Sequence, residues 1–122
     1  MRILFLDREW EDGENELVIR EWVKPLVVSG NDVYVVKSLE DLRQQRRLGL
    51  EDVHVLIAQA REIDPNKLYA QLERRKDFRV FVYGAPQGNP GQPDLMDKPG
   101  VKYLDVFTPP ERLLALMHGA RA

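Results

Sequence analysis

Five short strand-like stretches, at residues 2–6, 33–36, 53–58, 79–83 and 101–107, recur along the chain, each too short for a helix, and the first and third are nearly continuous apolar runs. A run that is apolar at consecutive positions fits a strand buried on both faces, and such strands belong to parallel sheets covered by helices. Between the runs, apolar residues return at helical spacing among charged ones. Strands alternating with amphipathic helices predict parallel pairing through right-handed crossovers, hence a three-layer α/β sandwich with a five-stranded parallel sheet. Nothing repeats internally and no linker-like stretch divides the 122 residues, so one domain spanning 1–122 is expected.

The local signals fill in this frame. Over 14–28, Leu17, Val18, Trp22, Val23, Leu26 and Val27 form one apolar helical face, with Pro25 expected to kink or shorten the helix. Ser38 reads as an N-cap, with Asp41 in capping-box position, for a short helix carrying Leu39, Leu42 and Leu48 and ended by Gly49. Asp64 and Pro65 open a third helix, with Leu68, Tyr69 and Leu72 on one side, reaching Lys76. Thr108, Pro109, Pro110 and Glu111 open a last one bearing Leu113, Leu114, Leu116 and Met117. Residues 84–100 hold four prolines and four glycines, a density that forbids a long regular helix and predicts a loop or flap.

Composition excludes several classes of function. Eighteen Lys and Arg against twenty Asp and Glu leave a net charge of −2, so there is no global cationic field for nucleic acid. Cys is absent, which excludes disulfides, thiolate zinc sites and Cys nucleophiles; a zinc site would have to rest on His54, His118 and carboxylates. No run approaches the roughly 18 apolar residues of a membrane span, and the opening run is too short for a signal peptide, so a cytoplasmic protein without a membrane partner is expected.

In such sheets ligands sit outside the carboxyl ends of the strands, which directs attention to residues 7–12, 58–61, 84–86 and 105–108. The acidic string Asp7, Glu9, Glu11, Asp12, Glu14 and Glu16 offers ligands to a cation or a basic partner, but a solvated loop favouring the following helix N-terminus is the simpler account. An EF-hand is excluded, because Asp12 stands where that loop needs Gly and Val18 where it needs its bidentate Glu. His54, inside an apolar strand, reads as a packed histidine, and His118 as a charge complement to a helix carboxyl end. Trp22 fits the buried stripe, whereas Trp10, set among charges, is the candidate exposed anchor. Arg43, Arg46 and Arg47, and Arg74, Arg75, Lys76 and Arg79, read first as solvated faces, with a phosphate or acidic-partner site as the alternative. The first loop has no Gly-rich phosphate cradle, which speaks against FMN binding or a P-loop. The PxxP spacing at 90–93 is a low-grade signal in a Gly-rich setting.

At its strand ends the sequence resembles the receiver domain of bacterial response regulators, a flavodoxin-like fold. The resemblance rests on residues 1–9, an opening strand followed by acids, and more specifically on the ungapped stretch 103–113, the family's last strand and start of its last helix. It implies a site in which two adjacent acids and a phospho-accepting Asp hold a divalent cation, because a hard cation needs oxygen ligands. Here Asp7 matches the first acid and Arg8 replaces the second. Ala58 stands where the acceptor should be, Gly84 where the family has its switch hydroxyl, and Val106 where it has its phosphate-binding Lys. The resemblance therefore implies a degenerate pseudo-receiver, with a Pro/Gly-rich loop in place of the fourth helix.

The resulting expectation is a phosphorylation-independent module for protein–protein interaction in bacterial signalling or assembly, not an enzyme, with no cofactor and no metal. Trp10, Leu95, Met96, Phe107 and Arg112 are the expected partner contacts, and a homodimer through the last strand and last helix is open. The alternative is a small-ligand or nucleotide-binding domain, or a small enzyme, using Asp7 and Asp105 at the strand ends. In a site already broken, replacing Asp7 by Ala is expected to matter little.

Overall fold

The computed structural model describes residues 1–11, 16–59, 62, 65–84 and 100–119. Five strands, β1 (Arg2–Leu6), β2 (Asp32–Val36), β3 (Val55–Gln59), β4 (Arg79–Tyr83) and β5 (Val101–Tyr103), form one parallel sheet in the order β2-β1-β3-β4-β5. Four α-helices connect or follow them: α1 (Glu16–Val28), α2 (Leu39–Arg46), α3 (Pro65–Arg74) and α4 (Pro110–Gly119). The three-layer sandwich expected from the alternation is present.

Alternate residues of each strand face opposite layers, so the sheet separates two cores. Leu4, Leu6, Leu56, Ala58, Val80 and Val82 pack with Leu42 of α2 and Leu68 of α3. On the other face Ile3, Phe5, Val55, Ile57, Phe81 and Tyr83 pack with Ile19, Trp22 and Leu26 of α1 and with Leu113 and Met117 of α4. Burial on both faces explains why β1, β3 and β4 are apolar at nearly consecutive positions rather than alternating.

Several boundaries move from their expected places. α1 runs through Pro25 to Val28 and is not shortened. The helix loses one backbone donor there, but Trp22 and Leu26 flank the proline and are both buried, so tertiary packing holds the segment helical. Its buried face centres on Ile19, Trp22 and Leu26, while Leu17 and Val27 of the expected stripe are exposed. The helix ends in a Schellman arrangement, Gly30 N–H to Val27 O and Asn31 N–H to Leu26 O, with Gly30 at φ 89°.

Ser38 caps α2 by accepting the Asp41 N–H, as its sequence context predicts. The stop is Arg47, in the left-handed region at φ 57°, rather than Gly49. Gly49 instead opens a 3-10 turn, Leu50–Asp52, and its N–H is accepted by the Asp52 carboxylate. That turn takes up the residues before Val53, so β3 starts at Val55 and His54 lies outside it, exposed rather than packed. Nδ1 of His54 accepts the Arg2 N–H at 2.9 Å. α3 stops at Arg74, two residues short of Lys76. Arg75 then folds back, donating to Leu50 O and Val53 O and lying over the Phe78 ring.

β5 has three residues rather than the seven, 101–107, expected from the sequence. Beyond it the Asp105 carboxylate accepts the Phe107 N–H and the Asp105 carbonyl accepts the Thr108 N–H, turning the chain toward α4. The expected loop between β4 and β5, with Leu95 and Met96, lies outside the described residues.

Candidate functional site

β1 delivers Asp7 to the carboxyl end of the sheet, where parallel strands leave the crevice that binds ligands in folds of this kind. The residue is fixed by its backbone, since its N–H bonds to Val36 O on β2. Its side chain is only 2% exposed, and both oxygens are engaged. Oδ1 accepts the Glu9 N–H at 2.9 Å, and Oδ2 accepts the hydroxyl of Tyr83 at 2.8 Å. Tyr83 is the last residue of β4 and is fully buried. A buried carboxylate is stable only where hydrogen bonds replace its hydration, and this pair supplies them.

The Tyr83 ring is itself held. Trp22 meets it edge-on at 5.5 Å between ring centroids and stacks on Phe5 at 6.5 Å on the other side. The Trp22 indole N–H donates to Thr108 O at 2.9 Å, beside the turn that carries Phe107. A continuous set of contacts thus runs from Asp7 through Tyr83 and Trp22 to the β5–α4 turn.

The other strand ends complete the description. Arg8 is exposed and its Nε lies 3.6 Å from Glu62, whose side chain is mostly buried beyond the end of β3. Ala58 is fully buried on β3, followed by Gln59, also buried. Gly84, at φ 74°, closes on Gln59: a Cβ there would stand 3.2 Å from the Gln59 side-chain nitrogen. A Ser or Thr at this position would meet both an unfavourable backbone conformation and a crowded side chain. Val106 is half-buried in the turn past β5, not in the strand.

The residues present do not fit the divalent cation that the sequence resemblance implies. Asp7 has no oxygen without a donor, Arg8 brings a cation, and Ala58 brings no oxygen at its side chain. Among the described residues no group of three His, Asp or Glu side chains is gathered as a metal cage.

The expected contact residues separate. Phe107 is 88% exposed and Arg112, at the start of α4, is exposed as well. Trp10 is not the free anchor expected from its charged neighbours; it is half-buried against the core under α1 and α4. Asp105 is exposed, with its carboxylate capping its own turn. The side chain of His118, like Leu95 and Met96, lies outside the described residues. Sequence reading passed over Tyr83, whose one visible signal was a hydroxyl-bearing aromatic at the top of an apolar strand, where a buried hydroxyl requires a partner.

No protein-family model matches the sequence, and no curated protein does. Solved structures do. A response regulator receiver domain protein from Clostridium thermocellum superposes with a TM-score of 0.61 at 15% identity, over 98% of this chain and 92% of that one. The chain has a receiver-like fold. The pseudo-receiver domain of the CikA protein is similar at a TM-score of 0.57 and 17% identity, over 99% of this chain and 97% of its own. The CheY-like protein TadZ from Pseudomonas aeruginosa PAO1 follows at 0.51 and 16%, over 98% and 91%. Among the described residues of this receiver-like chain, no helix is long and apolar enough to cross a membrane.

Proposed function

We propose that residues 1–122 form one phosphorylation-independent receiver-like domain that acts by binding another protein, in bacterial signalling or in organising a larger assembly, and that it is not an enzyme. The observation that carries this reading is the Tyr83 hydroxyl on Asp7. An acid that would have to face a cation is turned inward and hydrogen-bonded in the core. Ala58 in place of an acceptor, and a Gly84 that resists replacement by a hydroxyl residue, support the same conclusion.

Partner contact falls on the β5–α4 turn and the start of α4, where Phe107 and Arg112 are both exposed and both of residue types enriched at protein interfaces. The same surface is open to a second copy of the chain. An alternative site built on Asp7 and Asp105 has less support, because the Asp7 carboxylate is buried and that of Asp105 caps its own turn.

The test is an amide NMR titration with Mg²⁺ and then with beryllofluoride. The expected result is no saturable shift at Asp7, Ala58, Gly84 or Val106. Saturable shifts focused there would overturn the reading and establish surviving phosphate chemistry.

A further inference from the structure

At the opposite end of the sheet, under the amino ends of β3 and β4, lies a cavity of about 360 Å³. Its apolar lining includes Val55, at the start of β3, and Met117, in the last turn of α4. Around this lie His54, Lys76, Asp77 and Arg79. Val55 and Arg79 are register partners in neighbouring parallel strands, so their side chains leave the same face of the sheet. Lys76 and Asp77 form the turn that leads into β4.

Arg75 is tied to two backbone carbonyls, but among the described residues neither Lys76 nor Arg79 makes an ion pair. Arg79 is half-buried at the start of β4. His54 accepts the Arg2 N–H through Nδ1, and in a neutral imidazole this places the ring proton on Nε2 as a donor.

We propose that this cavity binds a small organic oxyanion, a carboxylate or phosphomonoester with a short apolar body. Arg79 is the planar donor for two anion oxygens, Lys76 a point charge, and Val55 with Met117 the floor for the apolar part. The lining side chains set Lys76 and Arg79 against the single carboxylate of Asp77, and Met1 adds its α-ammonium, which also bonds Asn31, a net positive balance suited to one anionic head. The volume is at the small end of the roughly 300–1,000 Å³ spanned by ligand pockets, which fits a small metabolite. This inference stands apart from the proposed function, because it uses none of the residues at Asp7 or Phe107.

The test is an amide NMR titration of the full chain with butyl phosphate, butyrate and inorganic phosphate. At least one organic probe is expected to give saturable shifts at His54, Val55 and residues 76–79, and to bind more tightly than inorganic phosphate. Arg79→Gln should weaken that binding about tenfold or more, whereas Arg74→Gln, exposed on α3, should leave it unchanged. Lys76→Gln, in an exposed turn, serves the same purpose if the Arg79 variant does not fold. A preference for butyl phosphate assigns a phosphomonoester and a preference for butyrate a carboxylate, either outcome upholding the oxyanion site. Shifts that fail to saturate, or binding indifferent to both substitutions, would overturn it.

Discussion

Replacing Tyr83 by Phe removes one oxygen atom and leaves the ring, so it tests the hydrogen bond from Tyr83 to Asp7. The ring keeps its edge-on contact with Trp22. What is lost is the donor to Oδ2 of Asp7, a carboxylate 2% exposed that water cannot readily reach. A hydrogen bond to a charged group contributes about 1.5–3 kcal/mol, and leaving its acceptor buried without a donor costs a similar amount. For 122 residues the unfolding entropy near the midpoint is about 0.26 kcal/mol/K, so this loss lowers the melting temperature by about 6–12 °C. Urea unfolding followed by circular dichroism measures the same quantity at constant temperature, and an unchanged m-value checks that the unfolded state is comparable. A double-mutant cycle with Asp7→Ala then isolates the pair, with a coupling expected near 1.5 kcal/mol or above. A Tyr83→Phe loss under about 0.5 kcal/mol, or a coupling near zero, would refute the argument that this bond secures Asp7 in the core. Asp7→Ala, expected from the sequence to matter little, should on this geometry destabilise the domain, because the buried carboxylate accepts two hydrogen bonds.

Three other substitutions probe separate parts of the fold. Arg75→Met, which retains an apolar stem, should cost about 2 kcal/mol in urea unfolding by releasing Leu50 O and Val53 O and the contact with Phe78; a loss below about 0.5 kcal/mol would make the pin dispensable. Ser38→Ala removes the acceptor for the Asp41 N–H and should cost about 1 kcal/mol, with equal stability arguing against the cap. Phe107→Asp should leave stability within about 0.5 kcal/mol, because the ring is 88% exposed; a larger thermal shift would mean that Phe107 packs rather than being presented to a partner.

The strands and their layer arrangement were legible because each rests on local sequence: runs buried on both faces, a serine before α2, prolines at the start of α4. What was not legible depends on contacts distant along the chain. Trp10 sits among charges in sequence, yet the core under α1 and α4 decides its position. Pro25 is a helix breaker by propensity, yet buried Trp22 and Leu26 hold it within α1. His54 belongs to an apolar run in sequence, but the 3-10 turn fixed by Gly49 and Asp52 moves the strand start past it. The Asp7–Tyr83 bond joins residues 76 apart, and nothing within either segment announces the other.

That distance also bears on how firmly Asp7 is held. Its carboxylate is fixed in the core by a tyrosine whose ring is packed against Trp22, while Gly84 sits in a backbone conformation and against a Gln59 side chain that both disfavour a hydroxyl residue. An Asp introduced at Ala58 would therefore meet an Asp7 already hydrogen-bonded, and a Ser at Gly84 would be strained. Turning Asp7 outward requires breaking the Tyr83 bond, at a stability cost of the size derived above. The same Tyr83 and Trp22 contacts that hold Asp7 extend to Thr108 and the turn that carries the exposed Phe107. In this chain, holding Asp7 and holding that turn are one packing solution, which is why a change at Tyr83 should be felt at the β5–α4 turn as well as at Asp7.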